Sequence, residues 1–126
     1  MSLTDIIEER RKERKLILSD LSRYSYDLRK KLGKVSVILF GSYARGDFNL
    51  WSDIDLLIIS EAFSGVRFLD RPFLLKELEW NADLICWDPT EAGKMLKTGS
   101  WMTALQKVAV ICDDYALFSG SGSLSC

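Results

Sequence analysis

The sequence predicts an α+β domain built on a small mixed β-sheet flanked by helices. Three observations carry that expectation. A long Gly- and Pro-free segment opens the chain, and short β-branched and aromatic runs recur after it. Turn and cap signals then separate each run from the next.

The opening segment, about Thr4 to Leu32, carries Ile17, Leu21, Tyr24 and Leu28 at steps of four, three and four. That spacing lines one face of an α-helix, and Gly33 is its stop signal. Glu8 to Lys15 is a charged run expected to meet solvent or a partner. Val35 to Phe40 reads as a buried strand, broken by Gly41-Ser42. Tyr43 to Trp51 is a polar loop or short helical turn, and Asp53 to Ser60 a second buried strand. Asp70-Arg71-Pro72 looks like the cap and first turn of a helix running to about Glu79. Ala82 to Trp87 is a third strand. Asp88-Pro89-Thr90 starts a short helix toward Lys97, Ser100 caps another through Lys107, and Val108 to Cys112 is a fourth strand. Residues 119–126 are Gly/Ser-rich and read as a flexible tail, which leaves residues 1–118 as one domain with its core at about 35–112.

Composition narrows the chemistry. With 126 residues, 48% of them apolar, the chain suits one domain with a real core. No apolar run approaches a membrane span and no secretory leader pattern is visible, so a cytoplasmic protein is expected. The three cysteines form no C-x-x-C pair and are expected to be reduced thiols. The chain has no histidine. Ser-His and Cys-His nucleophile systems and His-ligated zinc are thereby excluded, which leaves carboxylates, bound metals, Lys, Arg, Ser or Tyr. Residues 1–34 hold ten Lys/Arg against six Asp/Glu, within a total net charge of −1. The near-neutral total argues against direct nucleic-acid binding.

Asp53 and Asp55 head the second strand two residues apart, so their side chains share one face while Ile54 points the other way. Two close carboxylates repel and resist leaving water. A divalent cation removes both costs, and hard oxygen ligands suit Mg²⁺ or Mn²⁺. Gly41 permits close approach of a phosphate to the backbone, and Ser42 offers a hydroxyl and an N–H. Arg45, three residues past Ser42, could reach a triphosphate. Trp51, just before the acids, is read as a packing residue.

Together these residues form Gly41-Ser42-x10-Asp53-x-Asp55, set between two strands. The pattern resembles the signature of the DNA polymerase β-like nucleotidyltransferase superfamily. GSYARGDFNLWSDIDLLII looks especially like the minimal nucleotidyltransferases of bacteria and archaea, over roughly Val35 to Cys112. The resemblance implies that fold, and it implies a third carboxylate on a later strand. Asp83, an acid within an otherwise apolar strand, is the best match, with Glu79 and Asp88 as neighbouring competitors.

The implied activity is transfer of a nucleoside monophosphate, AMP from ATP, to a hydroxyl with release of pyrophosphate. Two Mg²⁺ ions would be held by Asp53, Asp55 and Asp83, with Gly41, Ser42 and Arg45 on the nucleotide. The resemblance also implies a partner, a HEPN-type helical toxin encoded nearby, with this chain as its antitoxin. The short chain fits an acceptor that is another protein. A small-molecule nucleotidyltransferase of the aminoglycoside-modifying type and a catalytically silent neutralising module are the alternatives. Homo- or hetero-oligomers are compatible with all three readings.

Overall fold

The computed structural model describes residues 2–46, 53–75, 78 and 80–118. The expected tail at 119–126, Trp51 and Glu79 lie outside the described residues. The first helix, α1, runs over Leu3–Leu32. Ser2 caps it in a capping box with Asp5, and Gly33 ends it at φ 83°. Its buried stripe, Ile17, Leu21, Tyr24 and Leu28, is the one the spacing predicted.

Strands β1 (Ser36–Phe40), β2 (Ile54–Ile59), β3 (Ala82–Trp87) and β4 (Ala109–Asp113) form one sheet in the order β3-β2-β1-β4. β1 runs antiparallel to both β2 and β4, whereas β2 and β3 are parallel. The sheet is therefore mixed, as expected. Leu56 to Ile59 are all buried because β2 is covered on both faces, which explains its continuous apolar run. One face packs Val37, Leu39, Ile54, Leu56, Ile58 and Cys86 against the α1 stripe. The other packs Ile38, Leu57, Ile59 and Trp87 against Ala92, Met95, Trp101 and Leu105. These last four belong to or follow helices α3 (Pro89–Met95) and α4 (Gly99–Ala104), the helix α2 being the short Gly41–Arg45 turn.

Three expectations are corrected. The segment opened by Asp70-Arg71-Pro72 is not an α-helix. Phe68–Leu74 is a 3-10 helix with Pro72 inside it. Asp70 pairs with Arg67 at 2.8 Å, and the buried Arg71 side chain turns inward. Arg71 donates to Val66 O, Cys86 O and Glu91 Oε1 at 2.9, 3.0 and 2.6 Å, so side-chain bonds fix this segment where helical repeats would not. Secondly, Thr98, not Ser100, is the residue before α4. Thirdly, Cys86 is a free buried thiol, but Cys112 is disulfide-bonded. Among the described residues no helix is long and apolar enough to cross a membrane.

Candidate active site

The site forms where β1 ends and β2 and β3 begin. β1 stops at Phe40 and the chain turns at once into α2. That turn needs residue 41 at φ +73°, in the left-handed region that favours glycine. Space demands glycine as well. A Cβ on residue 41 would overlap Asp55 Oδ2 and lie 3.1 Å from Asp55 Cγ. Backbone and carboxylate are thus in direct contact.

The three predicted acids share one sheet face. Asp53 precedes β2, and Asp55 lies two residues on, with Ile54 buried on the opposite side. In the parallel β2–β3 pair Asp55 stands opposite Asp83, and in the antiparallel β1–β2 pair it stands opposite Phe40. Ala82, Leu84 and Cys86 pack on the α1 side, which leaves Asp83 on the face of Asp55. Asp53 and Asp83 are exposed and Asp55 is half-buried. Burial raises the Asp55 pKa above the usual carboxylate range, and the charges of Asp83 and Asp53 raise it further, against a lowering by Arg45. The larger effect of Asp83 follows from its direct register.

Of the two competing acids, Asp88 lies within the described residues and has another role. Asp88 follows the far end of β3, accepts from Glu91 N at 2.8 Å and caps α3. Ser64 Oγ also donates to it at 3.3 Å. Arg45 is exposed at the end of α2, and its charge reaches Asp55. The Ser42 carbonyl accepts from Gly46 N at 2.8 Å and closes the turn.

The donor chemistry fits a hard dication: the charges of Asp83 and Asp53 add to burial in raising the proton affinity of Asp55, the imbalance that a divalent ion relieves. Among the described residues, however, no three acidic side chains converge within ligating distance of one point. The exposed Asp53 and Asp83 would have to turn inward to do so.

Sequence reasoning missed the support of α2. Arg14 Nε donates to Tyr43 O at 3.0 Å and its Nη2 to Ala44 O at 3.3 Å, so α1 carries the last carbonyls of the short helix. Tyr43 Oη donates to Glu13 Oε1 at 3.4 Å. Burial raises the Tyr43 pKa, as do the charge of Glu13, its hydrogen bond and the charge of Asp53. A signal existed: Arg14 sits three residues before Ile17, on the upward continuation of the buried stripe. The charged run is thus not wholly solvent-facing.

This combination of mixed sheet, Gly-Ser turn and acid trio defines a nucleotidyltransferase-type α+β fold. A crystal structure of a provisionally assigned nucleotidyltransferase from Sulfolobus solfataricus shares it, with a TM-score of 0.61 and 20% identity over 80% of this chain and 84% of that one. Residues 21–110, well over half the chain, match the family model described as the nucleotidyltransferase domain, and the chain belongs to that family. Among its relatives are two provisionally named protein adenylyltransferases of Methanocaldococcus jannaschii, MJ1305 and MJ0141. The first is 35% identical over 68 residues, which is 52% of this chain and 46% of the relative. The second is 44% identical over 59 residues, 47% of this chain and 48% of the relative. The chain thus spans about half the length of the relatives it matches.

Proposed function

We propose that the chain transfers AMP from ATP to a hydroxyl group of another protein. The observation that carries this reading is the contact of Gly41 with Asp55 at a site where Asp53, Asp55 and Asp83 occupy one sheet face. Family membership and the names of the two Methanocaldococcus relatives support the reaction class.

In this reading the acceptor oxygen forms a bond to the α-phosphorus while the bond from that phosphorus to the α–β bridging oxygen breaks. Pyrophosphate leaves and the hydroxyl proton passes to Asp83, which is exposed and so within reach of an incoming acceptor. Gly41 and Ser42 hold the outer phosphates and Arg45 supplies a cation beside them. Asp53 and Asp55, joined by Asp83, would hold Mg²⁺, which when bound neutralises charge on the phosphate oxygens. Positioning and charge neutralisation supply the rate, so a site without histidine suffices.

The acceptor proposed is a HEPN-type helical protein encoded nearby, with this chain as its antitoxin in the cytoplasm. The N-terminal half of α1 is suited to hold such a partner: Arg10, Arg11 and Lys15 are exposed, as are Leu3 and Ile7. Arg14 does not belong to that set, because it is bound to α2.

The test is incubation with α-labelled ATP, GTP, CTP and UTP, with and without the co-expressed neighbouring gene product, followed by intact-mass measurement. A labelled partner carrying one added AMP is the expected result. Label that never reaches protein would overturn the protein-acceptor reading.

A further inference from the structure

The acid-bearing face has a second feature. Along β3, Asp83, Ile85 and Trp87 point to the same side at steps of about 7 Å per two residues. Over Ile85 and Trp87 opens a cavity of about 320 Å³, walled by Phe68, Met95 and Trp101, with Glu91 and Lys94 completing the lining. Its walls are braced. Trp101 meets Trp87 edge-on at 4.7 Å between centroids and Phe40 at 5.8 Å. Glu91 is already engaged, by Arg71 and by the backbone N–H of Asp88. Lys94 and Glu91 apart, every lining residue is apolar.

The elements that wall the cavity also expose large apolar groups. Phe68, Leu69 and Phe73 on the 3-10 helix are 47%, 81% and 85% exposed, and Met102, next to Trp101 on α4, is 59% exposed. Such a concentration marks a protein contact surface. Position gives it a direction. Gly41, Ser42 and Arg45 follow β1, while the cavity lies on β3, and β2 with Asp55 runs between them. The phosphate-holding residues and the cavity are therefore on opposite flanks of Asp55, and Asp83 stands on the cavity side.

We propose that this cavity is the docking subsite for the acceptor protein. It takes one apolar side chain of that protein. Leu69, Phe73 and Met102, exposed on the elements that wall the cavity, meet the neighbouring polypeptide, and the acceptor hydroxyl is held at Asp83. The proposal rests on the protein-acceptor reading above. A nucleobase is a poorer occupant, since its ring-edge donors and acceptors would be buried against walls that offer almost no partners.

Two measurements test it. In the first, ¹⁵N-labelled protein is titrated with N-acetyl-leucinamide, N-acetyl-phenylalaninamide and adenosine, and the indole N–H resonances of Trp87 and Trp101 are followed. The side-chain mimics should shift both and adenosine neither. No shift with the mimics, or a stronger response to adenosine, overturns the assignment. In the second, Leu69→Ser and Phe73→Ser, both at exposed positions, are assayed against the labelled acceptor. The expected result is a KM for the acceptor raised on the order of tenfold, with Mg·ATP affinity unchanged. An unchanged acceptor KM, in a protein whose wild type labels the acceptor, removes the docking role and leaves the function standing. A wild type that labels no protein removes the protein-acceptor reading and the docking role with it, whatever the titration shows.

Discussion

The Asp55 carboxylate occupies the space in which a side chain on residue 41 would begin. Gly41→Ala therefore carries two penalties, the left-handed φ and the overlap with Asp55. Gly46→Ala carries only the first, because its φ of +85° faces open space. The backbone cost alone is about 1–2 kcal/mol. Both variants should unfold at lower denaturant, Gly41→Ala lower still. Nucleotidyl transfer should survive in Gly46→Ala and fail in Gly41→Ala. Equal activity in the two would show that the contact with Asp55 has no part in the chemistry.

Asp53→Asn and Asp55→Asn should each abolish transfer without lowering the melting temperature of the metal-free protein, since each removes a repelling charge. For Asp55 the pH dependence has a definite sign. Its pKa is raised in the folded state, so the protonated form favours folding and stability falls as pH rises through the folded pKa. The Asn variant lacks that loss. Its stability advantage should be present at neutral pH and fade as pH falls toward 3.8, the ordinary value for the group. Thermal melts across that range would measure it, and a variant less stable than wild type at pH 7 would contradict it.

Asp83→Ala should slow single-turnover transfer by about 10²- to 10⁴-fold, the usual range for a lost general base. Mg·ATP affinity should change far less. Asp88→Ala is the matched comparison. It removes the α3 cap, which costs about 1 kcal/mol of stability, and should leave the rate near wild type. A rate loss in Asp88→Ala equal to that in Asp83→Ala would reverse the assignment.

Arg14→Ala removes two charged donors from the Tyr43 and Ala44 carbonyls. The expected effect is a weaker grip on nucleotide, read as a raised KM for ATP, with Arg14→Lys recovering part of it. Arg10→Ala and Arg11→Ala should leave that KM alone and reduce only the salt dependence of partner binding. Isothermal titration with Mg·ATP and with partner at two ionic strengths separates these effects.

Much of this was legible in the sequence because it is local. A two-residue period puts Asp53 and Asp55 on one face with Ile54 opposite, wherever the strand lies. The α1 stripe, the Gly41 break and the Asp88 cap depend likewise on neighbours within a few residues. The tertiary structure decided what depends on pairing between distant segments. An apolar strand around Asp83 and a cap signal at Asp88 already favour Asp83, but only the parallel register of β2 and β3 sets Asp83 beside Asp55 and sends Asp88 to the other end of the sheet. Arg14 reads as one charge in a solvated run until α1 is laid against α2, where its guanidinium finds two carbonyls. The 3-10 course of Phe68–Leu74 has the same origin, since Arg71 bonds to residues as far along the chain as Cys86 and Glu91. Periodicity fixes which way a side chain points along its own element, and only the packing of elements fixes what it meets.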